Sequence, residues 1–124
     1  MIAADTSSLV AYFGGESGED VETLTDSMRS GQLVLPPVVL TEILSDPTAS
    51  PLLDAEIPLL QTLPIDEGYW RRAALSRRTL LTHRLSARIA DALIAQSCID
   101  HDVALITRDR DFRHFVQFCG LKLA

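Results

Sequence analysis

Val103–Phe112 reads VALITRDRDF. An apolar, β-rich run, VALIT, breaks off into aspartates alternating with arginines. A run that is apolar throughout, with no polar alternation, fits a strand covered on both faces, as in a parallel sheet. The start of the chain repeats the pattern. In MIAADTSSLV a short strand, Ile2 to Ala4, is followed at once by Asp5 and three hydroxyl residues. Two strands thus each end on an acid. In an open parallel sheet, ligands bind beyond the carboxyl ends of the strands. That rule sets Asp5 and Asp109 on the same rim.

Outward from these two strands the chain alternates between strand and helix. SLVAYF is a helix that Thr6, Ser7 or Ser8 can cap and Gly14-Gly15 ends. Ser17 to Ser30 has acids in its first turn, as a helix should, and stops at Gly31. QLVLP is a strand candidate. Pro36-Pro37 opens the helix VVLTEILSD, which ends before Pro47. Pro47 to Pro58 reads as a loop or a short helix. LLQTLPI is a strand, Asp66 caps a long helix running towards His83, and Ser86 begins another, ARIADALIAQSCIDH. A last short strand is expected around Leu121 to Leu123. The alternation predicts an α/β fold with a buried, mostly parallel sheet. There is no internal repeat, low-complexity tract or linker, and 124 residues suit one domain, residues 1–124.

The composition narrows the function. Apolar residues make up 47% of the chain, enough to fill a core. No apolar run is long enough to cross a bilayer, and the N-terminus lacks the pattern of a signal peptide. The expectation is a cytoplasmic protein with no membrane partner. Cys98 and Cys119 are read as thiols rather than a disulfide. With His101 and His114 they match no familiar zinc spacing. The net charge of -6 is unevenly spread. Residues 1–62 hold ten acids and one base, Arg29, whereas nine of the ten arginines lie between Arg71 and Arg113. For Arg71, Arg72, Arg77 and Arg78 the plain reading is a solvated helix face. The sharper reading is a phosphate-binding surface, because a localised basic patch suffices for a polyanion.

Two further acids stand out inside apolar helices. Glu42 has Val38, Val39, Leu40, Ile43 and Leu44 as neighbours. Asp91 sits in ADALIAQS, where Ile89, Leu93 and Ile94 are expected to pack on the sheet. Taken singly, each acid has a plainer explanation: Asp5 as a cap, Asp91 paired with Arg88, Glu42 paired with an arginine, Asp109 in a turn. Taken together they converge. Crowded carboxylates repel and raise each other's pKa, and a hard divalent cation removes that penalty. Mg2+ or Mn2+ prefers carboxylate oxygen, turns bound water into a nucleophile and steadies charge on a phosphate.

At these residues the sequence resembles the PIN-domain ribonucleases, most closely the VapC-type toxins of toxin–antitoxin pairs. The resemblance spans nearly the whole chain. ADTSSLVAYF carries the opening acid, Asp5; VVLTEIL carries the buried glutamate, Glu42; ADALIAQS carries the third acid, Asp91. TRDRDF carries Thr107, Asp109, Asp111 and Phe112, with Asp109 and Asp111 competing for the fourth acidic position. Asp109 is favoured as the nearer to the strand end, with Asp111 in an outer role. Family members often have a glycine shortly before the third acid, whereas HRLSARIAD has none. The resemblance implies a three-layer α/β/α sandwich and an endoribonuclease that uses Mg2+ (or Mn2+). It also implies a homodimer and inhibition by a cognate antitoxin protein. In this reading Asp5, Glu42, Asp91 and Asp109 are the catalytic and metal residues. Ser7 and Thr107 orient carboxylates, and Arg88, Arg108 and Arg110 guide the RNA substrate.

The rival classes fit less well. A receiver domain with an acidic Mg2+ pocket needs an acid pair after its first strand and a lysine near its last, whereas Asp5 stands alone and the sole lysine is Lys122. A haloacid-dehalogenase-type phosphatase needs Asp-x-Asp where this chain has DTS. A catalytically inactive binding module of the same fold is disfavoured by the complete acid set.

Overall fold

A computed structural model describes residues 1–124. β1 (Ile2–Ala4), β2 (Leu33–Leu35), β3 (Gln61–Thr62) and β4 (Ala104–Ile106) form one sheet, parallel throughout, in the order β3-β2-β1-β4. A receiver domain does not have this order. Seven helices cover the sheet in a three-layer α/β/α arrangement: α1 (Thr6–Phe13), α2 (Glu19–Arg29), α3 (Pro37–Leu44), α4 (Pro51–Glu56), α5 (Tyr69–Thr82), α6 (Ile89–Asp100) and α7 (Arg113–Cys119). α1 packs on α2 and α3, and α5 packs on α6 and α7.

The register of the sheet makes the rim. Ala3 pairs with Val34 on one side and Leu105 on the other, and Ala4 pairs with Ile106. β1 and β4 therefore end level. The Asp5 N–H donates to the Ile106 carbonyl at 3.1 Å, so Asp5 and Thr107 emerge side by side. Strands β1, β2 and β4 are short and well covered, with Ala3, Ala4, Leu35 and Leu105 all buried. They belong to one apolar cluster that runs from Ala3 to Leu121, so both ends of the chain contribute to the same core. Phe112 and Phe115, just past the acid-rich turn, are among its largest buried side chains.

Local signals explain some helix ends. Pro37 begins α3, where its missing N–H costs nothing. Ser50 accepts from the Leu53 N–H and caps α4, so the segment 47–58 resolves as a short helix followed by a 3₁₀ turn over Ile57–Leu59. α6 buries Ala92 and every residue from Ile94 to Cys98, most of its circumference, and so lies in the interior.

Several expectations are corrected. Asp66 does not cap α5. Gly68, at φ 84°, turns the chain just before the helix, and Asp66 contributes only its carbonyl to the Tyr69 N–H. α6 starts at Ile89 rather than Ser86, because Arg88 is still extended. Ile89 is 63% exposed instead of packing on the sheet. The strand read from LLQTLPI shrinks to Gln61–Thr62, which has a partner on one side only. The terminal strand reduces to a single parallel bridge, Leu105 to Leu123. No helix is long and apolar enough to cross a membrane.

Candidate metal centre

Asp5 leaves β1 and becomes the N-cap of α1, so its backbone is fixed by two elements at once. The residue is 3% exposed, and its carboxylate accepts from three donors. The Ser8 N–H donates at 3.1 Å, Ser7 Oγ lies 2.8 and 2.9 Å from its two oxygens, and Thr107 Oγ1 donates at 2.6 Å. Burial pushes the Asp5 carboxyl above the ordinary range. Thr107, Ser8 and Ser7 oppose that rise, and the charge of Asp109 adds to it. Thr107 Oγ1 in turn accepts from the Asp109 N–H at 3.0 Å. A single hydroxyl thus links the backbone of one acid to the carboxylate of another.

Asp109 caps a 3₁₀ turn over Arg110–Phe112 and accepts from the Asp111 N–H at 2.9 Å. Phe112, buried beneath this turn, anchors it to the core. Asp91 lies in the first turn of α6, where the helix dipole favours an anion. Burial nonetheless raises its carboxyl to about 6; Asp109, Glu42 and Asp111 push the same way, and Arg88 pulls against them. Asp91, Asp109 and Asp111 each offer an oxygen, all within 4.8 Å of one another. Asp111, expected in an outer role, is thereby gathered into the same cluster. No arginine, lysine or histidine forms an ion pair with any of the three.

Glu42 differs from its sequence expectation. α3 buries Val39 and Ile43 on one stripe, and Glu42 lies on the exposed side. It is not an acid stranded in an apolar helix. Thr6 Oγ1 donates to it at 2.9 Å, which ties it to the start of α1 and to the neighbourhood of Asp5. Its charge is felt at Asp91.

The donor set passes a chemical test for a hard cation. It is all carboxylate oxygen, it carries mutual repulsion, and no protein cation forms an ion pair with it, the charge of Arg88 offsetting only part of the rise at Asp91. Zinc finds no such support. The cluster contains neither cysteine nor histidine, both cysteines are free, and burial pushes the Cys98 thiol up to about 12.

A model of the PIN domain family matches residues 2–116 of the sequence. The chain belongs to the PIN domain family. Curated proteins give no match. Among solved structures, this PIN domain is similar to FitAcB from Neisseria gonorrhoeae. The TM-score is 0.71 at 22% identity, over 99% of this chain and 96% of the other. That likeness establishes the fold.

The three arginines near the acids have different surroundings in this PIN domain. Arg88 and Arg110 are exposed and form no ion pair. Arg108 is fully engaged. Its Nε and Nη2 donate to the two oxygens of Asp20 at 2.8 and 3.0 Å, and Nη2 also donates to the Ser17 carbonyl at 3.1 Å. Glu16 lies 3.7 Å from the same guanidinium. Sequence reading gave Asp20 no role beyond that of an acid in a first helical turn. No local pattern announces a partner 88 residues away.

Proposed function

We propose that this PIN domain is a metal-dependent endoribonuclease that hydrolyses phosphodiester bonds with Mg2+ or Mn2+. The observation that carries the reading is the convergence of Asp91, Asp109 and Asp111 oxygens within 4.8 Å, without a protein cation among them. A divalent ion bound there supplies an activated water and charge stabilisation at phosphorus.

The side chains divide the remaining work. Asp91 and Asp109 hold the ion, with Asp5 beside them. The hydroxyls of Ser7 and Thr107 fix the orientation of Asp5, so that its oxygens need no reorganisation on binding. Glu42, held by Thr6, adds negative charge near Asp91. Asp111 offers a further oxygen to the same cluster. Arg88 and Arg110, exposed beside Asp91 and Asp109, guide the RNA backbone towards an otherwise acidic surface.

The motif resemblance extends the proposal to a toxin of a type II toxin–antitoxin pair, acting as a homodimer and restrained by a cognate antitoxin. The decisive experiment is RNA cleavage by purified protein. Cleavage appears with Mg2+ or Mn2+, stops on chelation, and is lost in Asp5→Asn. Cleavage that persists unchanged in excess EDTA would falsify the metal mechanism.

A further inference from the structure

Asp20 belongs to α2, an element that contributes none of the acids assigned to the metal centre. Its carboxylate nevertheless joins the two chain segments that build that centre. Oδ2 accepts from Ser8 Oγ at 2.9 Å and from Arg108 Nε at 2.8 Å, and Oδ1 accepts from Arg108 Nη2 at 3.0 Å. Ser8 lies in the first turn of α1, and its N–H is one of the donors to Asp5. Arg108 stands between Thr107, which clamps Asp5, and Asp109, which faces Asp91. The Arg108 N–H also approaches Ser7 Oγ at 3.4 Å, closing the ring around Asp5.

The pair is well matched, and its acid is largely covered. Only 13% of the Asp20 side chain and 33% of the Arg108 side chain are exposed. Two parallel N–H···O bonds from a guanidinium fix angle as well as distance. The Arg108 guanidinium beside Asp20 holds its carboxyl down at about 2. The loop before α2 keeps room for the pair. A Cβ at Gly18 would meet Asp20 Oδ1 at 2.6 Å and Arg108 Nη2 at 3.2 Å, and Gly18 has φ 144°. The preceding connection is therefore shaped around this contact.

We propose that Asp20 is a positioning residue for the metal centre: by gripping Ser8 and Arg108 together it sets the separation of Asp5 from Asp109. This rests on the metal-site reading above. Loosening the grip removes no metal-binding carboxylate but lets the turn over residues 107–109, and Asp109 with it, drift from the start of α1. Outer partners of metal sites typically contribute about 10–100-fold in affinity when removed.

The test is Mn2+ binding by the full chain, followed by loss of the free-ion EPR signal. The variants are Asp20→Asn, Ser8→Ala and, for comparison, Asp100→Asn. Asp100 takes part in a second bidentate pair, with Arg72 at 2.9 and 2.6 Å, at the far end of α6 from Asp91. Its loss gives the thermal destabilisation expected of a broken arginine pair, without touching the metal centre. Asp20→Asn is expected to weaken Mn2+ binding by about 10-fold or more, Ser8→Ala to weaken it less, and Asp100→Asn to leave it unchanged at a comparable fall in Tm. Unchanged Mn2+ affinity in Asp20→Asn overturns the proposal, as does an equal loss in Asp100→Asn, which would mean general loosening. Should Asp20→Asn fail to fold, unchanged affinity in Ser8→Ala overturns it. A parent protein that binds no Mn2+ overturns the metal reading itself, and the proposal with it.

Discussion

Thr107 Oγ1 donates to Asp5 Oδ2 at 2.6 Å, joining the ends of two adjacent strands that are 102 residues apart in the chain. The same oxygen accepts from the Asp109 N–H. Replacing Thr107 by Val keeps the branched shape and removes both contacts. Thr107→Val is expected to lower cleavage and Mn2+ affinity by about 10–100-fold, while Thr107→Ser, which keeps the hydroxyl, stays close to the parent. Equal losses in both variants would show that packing at this position matters and the hydroxyl does not.

Asp91 yields a pH prediction. Its carboxyl lies at about 6 in the folded chain, against an ordinary 3.8. Between those values the folded state holds a proton that the unfolded state has released. Stability of the metal-free protein therefore falls as pH rises from about 4 to about 6, and the cost is complete above that. Asp91→Asn removes the cost. A shift of this size corresponds to about 3 kcal/mol, which partial exposure reduces to about 1–2 kcal/mol. In EDTA at pH 8, chemical denaturation should find the variant more stable by that amount, with the gain gone near pH 3.5. Cleavage by the same variant should be abolished. A variant no more stable than the parent at pH 8 would place the acid in a better-compensated site.

The arginines separate by their surroundings. Arg88→Ala and Arg110→Ala should each weaken RNA binding for all sequences and flatten its salt dependence by at most about one unit of slope per lost contact. Affinity is measured in the Asp5→Asn background, so that substrate survives. Arg108→Ala should act otherwise, since Asp20 already occupies its guanidinium: Mn2+ affinity falls while the salt slope changes little. Slopes that match the parent in the Arg88 and Arg110 variants would move attention to Arg71, Arg77 and Arg78.

Expression of the chain alone in a bacterial host should arrest growth, and co-expression of a cognate antitoxin should relieve the arrest. Asp5→Asn should be harmless at equal abundance. Harmless expression of a demonstrably active protein would favour a housekeeping nuclease.

What was legible in the sequence follows from how local its cause is. Strands β1, β2 and β4 declare themselves because burial on both faces demands apolar residues throughout. Pro37 and Gly15 mark helix ends through their backbones, Pro37 by its missing N–H and Gly15 by its φ of 74°. β3 was overestimated, since one-sided pairing lets ladder bonds lapse where the apolar letters continue. The apolar neighbours of Glu42 predict burial, yet an eight-residue helix hides one stripe only, here Val39 and Ile43. Ile89 failed for a related reason: the first turn of α6 has no element over its outer side. Asp5 and Asp109 were placed on one rim by a topological rule, and the register of β1 against β4 gives that rim its geometry. The Asp20–Arg108 contact had no sequence signal, because α2 meets the end of β4 only once the sheet has formed.

The bridge between Leu105 and Leu123 has a consequence for behaviour in a crowded solution. β4 is the outermost strand on its side of the sheet. Its free side is occupied by the chain's own last residues: the Leu105 N–H donates to the Lys122 carbonyl, and the Ala124 N–H donates to the Leu105 carbonyl, both at 2.9 Å. Uncovered edges are templates on which other chains add strands. Lys122–Ala124 thus shield the strand that delivers Thr107 and Asp109 from intermolecular pairing. Deleting those residues would leave the acids in place and bare a sticky margin beside them, so the damage would register first in light scattering, as aggregation.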